Sequence, residues 1–149
     1  MSVSATVETT AGELAKIDAP PMIGVTPHLN VVGASEASTF YQKAFGARET
    51  FRLPADDGKR LMHCALVING GNLMICDCFP EMGHGFEHQP SASFTMHLQV
   101  DDIDAWFNRA VEAGVQVLQP IEDMFWGDRY ARLLDPYGVH WALGQTKTA

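Results

Sequence analysis

The chain has 149 residues, 46% of them hydrophobic, enough for one ordinary domain or two small modules sharing a core. Ten Lys and Arg against eighteen Asp and Glu leave a formal charge of -8, which repels phosphate backbones and anionic membranes and argues against nucleic acid as a partner. The longest apolar runs fall far short of a membrane span and none follows the basic start of a signal peptide, so a soluble, cytoplasmic protein is expected.

Residues 1–22 hold Ser, Thr, Ala and Glu, no aromatic residue, and close on Pro20-Pro21. Such a segment buries too little apolar area to offset its ordering entropy and reads as a mobile tail, within which 12–18 could form a short helix. At Val25 the pattern changes. Residues 25–32 read as a strand, with Pro27 pointing to an edge or to the strand's beginning. Ser35 can then cap a helix over about 36–45, whose Ala37, Phe40, Tyr41, Ala44 and Phe45 recur at helical spacing before Gly46 ends it. Strands over 48–53, 60–68 and 72–78 follow, separated by turns at Asp56-Asp57-Gly58 and Asn69-Gly70-Gly71, which makes β-α-β-β-β. Three cysteines, Cys64, Cys76 and Cys78, have no zinc-finger spacing and read as reduced, partly buried thiols.

The order then repeats. Thr95-Met-His-Leu-Gln-Val100 matches Thr26-Pro-His-Leu-Asn-Val31, so that His97 stands 69 residues after His28. A second amphipathic helix over about 103–113 carries Ile103, Trp106, Phe107, Ala110 and Val111 and stops at Gly114, and the offset falls to 68 from there (Gly46 to Gly114, Asn72 to His140). A strand over 115–118 precedes a hairpin running from Trp126 to Leu143, turned at Asp135-Pro136-Tyr137-Gly138. On its returning strand His140 and Ala142 share one face, while Val139, Trp141 and Leu143 share the other, which should pack on helices. Two tandem modules of about 25–78 and 94–145, joined by a linker over 79–93, each too small to bury its own sheet face, are expected to form one domain over 23–149.

These fragments, Thr26-Pro-His-Leu-Asn30, Phe40-Tyr-Gln-Lys-Ala-Phe-Gly46, Asn72-Leu-Met-Ile-Cys-Asp-Cys-Phe-Pro80 and Trp126-Gly-Asp-Arg129 with Asp135-Pro-Tyr-Gly-Val-His-Trp141, resemble the vicinal oxygen chelate superfamily of glyoxalases, bleomycin-resistance proteins and ring-cleaving dioxygenases. The likeness covers about 25–145 and is greatest to the PhnB-like group. It implies an α+β fold of two tandem βαβββ modules forming an open, incomplete barrel around a pocket, commonly in a homodimer.

Metal-dependent members of that superfamily place four ligands, His, Glu or Gln, on the first and last strands of each module. Carried over by register, those positions here are Thr26, Met74, Thr95 and Ala142. None is a typical ligand, since Met is soft and neutral and Ala has no donor, so the usual metal site is expected to be missing. Two residues along each strand, on the same inward face, stand His28, Asn72, His97 and His140. They read either as hydrogen-bonding groups of a pocket wall or, for His28, His97 and His140, as three imidazoles able to hold zinc, nickel or iron(II) with a position open to water or substrate.

Other candidates are weaker. His84 and His88 bracket Glu87 in the linker, where two glycines argue against a helix and for a lid or solvated loop; His63 reads as structural. Trp126, Arg129, Tyr130 and Arg132 could stack on and pair with a planar or anionic ligand, or else supply core packing and partners for surface acids. Strand parity sends Arg129 and Ala131 one way and Tyr130 and Arg132 the other. Phe40, Tyr41, Trp106 and Phe107 read as helix-to-sheet packing.

The favoured functional reading is capture of a small molecule (a metabolite, drug or toxin) in the cleft between modules, without a cofactor. Met74, Phe94, Met96 and Trp126 would supply apolar burial, His28, Asn72, His97 and His140 the orientation, and Arg129 and Tyr130 further ligand contacts. The alternative is a lyase, isomerase or dioxygenase with one divalent ion on His28, His97 and His140; a catalytically silent dimer module is a third reading.

Overall fold

The computed structural model describes residues 20–83 and 87–148. The tail over 1–19, with its 12–18 helix, and the linker residue His84 lie outside the described residues.

Strands β1 (His28–Val31), β2 (Arg48–Pro54), β3 (Leu61–Ile68) and β4 (Gly71–Asp77), with helix α1 (Ala34–Phe45), make the first module; β5 (Met96–Gln99), α2 (Ile103–Ala113), β6 (Gln116–Asp123), β7 (Asp128–Leu134) and β8 (His140–Thr146) make the second. The fold is α+β, two βαβββ modules with two open four-stranded mixed sheets ordered β1-β4-β3-β2 and β5-β8-β7-β6. No helix among the described residues is long and apolar enough to cross a membrane. The chain divides into two compact units, one running to Gln42 and over Ala47–His88, the other taking Lys43–Gly46 with Gln89 to the C-terminus.

In the first unit β1 lies parallel to β4, with His28 opposite Met74, and β3 is antiparallel to both β4 and β2. Two-residue alternation divides the sheet. Leu29, Val31, Cys64, Leu66, Ile68, Leu73 and Ile75 are buried on one face, while His28, Asn30, His63, Ala65, Asn72 and Met74 stay partly exposed on the other, here termed the open face. The β3–β4 turn places Asn69 (φ 49°) and Gly70 (φ 79°) both in the left-handed region, which only residues tolerant of positive φ allow in a two-residue hairpin.

Helix α1 begins two residues earlier than the Ser35 signal suggested. Its first N–H groups are satisfied from a distant strand: the Asp77 carboxylate, 4% exposed, accepts from Gly33 N (2.8 Å) and Ala34 N (3.1 Å) and holds Leu61 N with its other oxygen (2.7 Å). Ser35 Oγ instead accepts from Arg52 (3.0 Å). At the other end of the unit Arg60 lies over the Phe79 ring and pairs with Glu81, fixing the short 3-10 turn Pro80–Met82.

The second unit repeats the plan, with β5 parallel to β8 and His97 opposite Ala142. The helix start is again satisfied in trans: Gln145 Oε1 accepts from Ile103 N (2.9 Å), and Gln145 lies 68 residues after Asp77, the offset of the repeat. Asp102 adds a local cap through Ala105 N. Trp141 is 1% exposed, with its ring 4.5 Å from that of Phe45 and its Nε1–H donated to Asp135. The same buried carboxylate accepts from Tyr137 N and Val139 N, so the Asp135-Pro136-Tyr137-Gly138 turn is locked to the core residue it precedes. Strand β6 extends to Asp123, past the expected end at Leu118. It tolerates Pro120 because it is the sheet's outer strand, and its pairing to β7 shifts register twice, between Val117 and Gln119 and again before Glu122.

Candidate functional site

In both units the alternation that buries a core face delivers the polar and aromatic candidates to the open face. The expectation that Val139, Trp141 and Leu143 pack inward while His140 and Ala142 face the other way agrees with their pairing.

On the first unit's open face His28 meets His63 edge to face, with ring centroids 5.9 Å apart, and Phe51 lies 5.8 Å from His63. Burial, with His28 nearby, pulls the His63 imidazole below its ordinary range and favours the neutral ring. Met74 sits between His28 and Ala65 in the row across the sheet. Asn72 is spent on the chain itself: its amide donates to the carbonyls of Pro20 (3.0 Å) and Pro21 (3.3 Å). Nearby, the Cys76 thiol donates to Asn30 Oδ1 (3.1 Å) and His88 Nδ1 donates to the Asn30 carbonyl (3.1 Å). The three cysteines are free, and burial raises each thiol, that of Cys64 to about 12 with Glu49 beside it, so none is a ready nucleophile.

On the second unit's open face the pairing sets His97 beside Ala142 and Arg132, and Gln99 beside Gly144 and Tyr130. His97 stacks on Tyr130, with centroids 6.2 Å apart and planes 19° from parallel; Trp126, presented by the β6–β7 turn, puts its ring edge-on to Tyr130 at 5.4 Å and meets Phe125 at 5.1 Å. Phe125 is 96% and Trp126 49% exposed, so Trp126 is not the core residue that one reading made it.

A hydrogen-bond relay fixes the imidazole. Gln99 Nε2 donates to Thr146 Oγ1 (3.0 Å) and Asp128 Oδ2 (3.3 Å), which turns Gln99 Oε1 toward His97 Nε2 (2.8 Å) and requires that nitrogen to carry the proton. Gly144 makes this possible: a Cβ there would stand 2.7 Å from Gln99 Oε1 and 3.0 Å from the His97 ring. His140, on the same face, has a buried Nδ1 with no hydrogen-bond partner among the described residues.

Strand parity resolves the arginines. Arg129 points to the helix side, bound by Asp104 (2.7 Å) and approached by Asp123, whereas Tyr130 and Arg132 share the open face. His28, Asn72 and Met74 therefore belong to one open face, and His97, Tyr130 and His140 to the other, with Trp126 adjoining it. Sequence reasoning set His63 aside as structural and passed over Gln99 and Gly144. The signal for His63 was present, because it stands next to Cys64, which reads as a partly buried thiol, and so falls on the opposite strand face.

The four positions that the family resemblance marks by register hold no typical metal ligand. Thr26 and Thr95 offer neutral hydroxyls just ahead of β1 and β5, Met74 a thioether, and Ala142 a fully buried methyl. Within each unit, among the described residues, no three His, Cys, Asp or Glu side chains form a metal-holding group.

The model of the Glyoxalase/Bleomycin resistance protein/Dioxygenase superfamily matches residues 23–143. An uncharacterized protein of Mycobacterium bovis, Mb0911c, is 47% identical over 125 residues, covering 81% of this chain and 82% of its own. Among solved structures, protein PA1353 of Pseudomonas aeruginosa superposes with a TM-score of 0.68 at 25% identity, over 85% of this chain and 99% of its own. A PhnB protein of Bacillus cereus superposes with a TM-score of 0.59 at 22% identity, over 85% and 100%.

Proposed function

Because the chain belongs to the Glyoxalase/Bleomycin resistance protein/Dioxygenase superfamily, we propose that it captures a small, largely apolar aromatic molecule without the metal centre of its catalytic relatives. The observation that carries this reading is the row Trp126, Tyr130 and His97: three rings in contact on one open face, with half of Trp126 exposed and the imidazole held by Gln99. Rings already ordered lose little entropy when another ring stacks on them, and each such contact contributes about 1 kcal/mol beyond the area it buries. His140 lies on the same face, its Nδ1 buried and without a hydrogen-bond partner among the described residues. On the first unit Met74 and the His28–His63 pair offer a softer, less polar surface. In this reading the protein works in the cytoplasm as a homodimer, the assembly the family resemblance implies.

Donor chemistry supports the reading as well. An ion at Thr26, Met74, Thr95 and Ala142 would find no anionic ligand and no imidazole. The alternative set of His28, His97 and His140 would first have to release His97 Nε2 from Gln99 or use its other nitrogen. Two measurements test the proposal. N-phenyl-1-naphthylamine, a neutral two-ring probe, should gain fluorescence with the wild type, and Trp126→Ala should weaken its binding about fivefold to tenfold. Elemental analysis of protein purified without a polyhistidine tag should find no stoichiometric metal. A bound ion that is lost in His97→Ala would replace capture with the metal-dependent lyase, isomerase or oxygenase reading.

A further inference from the structure

The charges of the second unit's open face are uneven. Among the described residues Arg52, Arg60, Arg129 and Lys147 each pair with a carboxylate, and Arg109 donates to the Ala44 carbonyl and lies over the Trp106 ring. Arg132 differs: it is half-buried, yet it has neither an ion pair nor a hydrogen bond with any described residue. Its neighbours across the sheet are Ala142 on β8 and Gln119 on β6, both uncharged. The acids that register brings nearest, Asp128 on its own strand and Glu122 opposite Tyr130, form no ion pair with it, and Asp128 takes the Gln99 amide. A guanidinium that has lost part of its water without gaining a carboxylate is costly in isolation, and a chain with eighteen acids could readily have supplied one.

We infer that Arg132 is the anion-recognising residue of the capture face and that the ligand is a planar aromatic compound bearing an acidic group, a carboxylate, sulfonate or phosphate. The inference rests on the capture reading above and sharpens it. Arg132 and His97 flank Ala142 in a single cross-strand row, and Tyr130 lies two residues from Arg132 on the same strand face, about 6–7 Å away along the strand. A ring laid against Tyr130 and Trp126 therefore brings a substituent one ring-width away within reach of the guanidinium fork. That fork binds planar oxyanions through two parallel hydrogen bonds. Ala142, fully buried, lies between them in that row. The net charge of -8 slows the approach of an anion but does not forbid the contact, because screening confines that repulsion to about 8 Å at physiological salt.

A matched pair of probes tests the assignment. 8-Anilinonaphthalene-1-sulfonate and N-phenyl-1-naphthylamine share one aromatic frame and differ by the sulfonate. The wild type should bind the sulfonate about tenfold more tightly, and Arg132→Gln should abolish that preference while leaving the neutral probe unchanged. Lys59→Gln, which removes the same charge from the β2–β3 turn, should leave the preference intact. Equal binding of both probes to the wild type, a preference that survives Arg132→Gln, or loss of both probes in that variant overturns the role of Arg132 and leaves capture standing. Failure of the wild type to bind either probe removes capture itself, and this inference with it.

Discussion

The two modules answer the same folding demand with different residues, and their differences separate what the fold requires from what the open faces are for. Where α1 needs its first N–H groups satisfied, Asp77 supplies a buried carboxylate from the end of β4; 68 residues later Gln145 does the same for α2 with a neutral amide. The demand is architectural, so it survives a change of side chain. On the open faces the equivalence is looser. His28 against His63 in the first unit corresponds to His97 against Tyr130 in the second, but the first pair meets at 88° and the second lies nearly parallel, at 19°. Met74 becomes Ala142, and Ala65, which pairs with Met74, becomes Arg132, which pairs with Ala142. Asn72, occupied by Pro20 and Pro21, becomes His140, whose Nδ1 has no partner among the described residues. The second face is thus more aromatic, more polar and less self-satisfied.

The comparison can be broken most forcefully at the helix starts. Asp77→Ala strands three N–H groups around a buried position and should cost about 3 kcal/mol in denaturant unfolding, whereas Gln145→Ala, whose helix keeps Asp102 as a local cap, should cost about 1 kcal/mol. Equal losses would mean that the two devices are not graded as their charge and number of partners imply. Next in size, Tyr130→Ala should weaken N-phenyl-1-naphthylamine about tenfold, while His63→Ala at the matching place changes it less than about twofold. A larger effect at His63 would move the capture face to the first unit. The smallest effect is acid sensitivity. Burial, with His28 nearby, lowers the His63 pKa in the folded protein, whereas the unfolded chain protonates the imidazole near the ordinary value of about 6.5. Its contribution to stability is therefore complete above that pH and is lost as the pH falls below it. The decline in Tm between about pH 7 and 5 should be shallower in His63→Gln; an unchanged slope would assign the acid response elsewhere.

Much of this was legible in the residues. The repeat of His28 and His97, the glycines ending both helices and the Asp135-Pro136-Tyr137-Gly138 turn carry the fold, because turns and helix periodicity are local. Long-range satisfaction is not local, which is why Ser35 looked like a cap while Asp77, 42 residues on, does that work. The open faces were half legible for a similar reason. Alternation groups Tyr130 with Arg132 and sets both apart from Arg129, but which group faces the helices depends on packing, and Arg129 is claimed there by Asp104. Gln99 and Gly144 act together across β5 and β8, a relation no spacing along the chain announces.

The double register slip and Pro120 on β6 reach beyond folding. A strand arriving from another molecule would find no amide at Pro120 to bond and would lose step at each slip, so growth by edge addition stalls on that flank. Self-association through that flank must then be built from side-chain packing rather than from a sheet continued across two chains, and the protein can display Phe125 and Trp126 openly at the tip of that hairpin without seeding fibrils from β6.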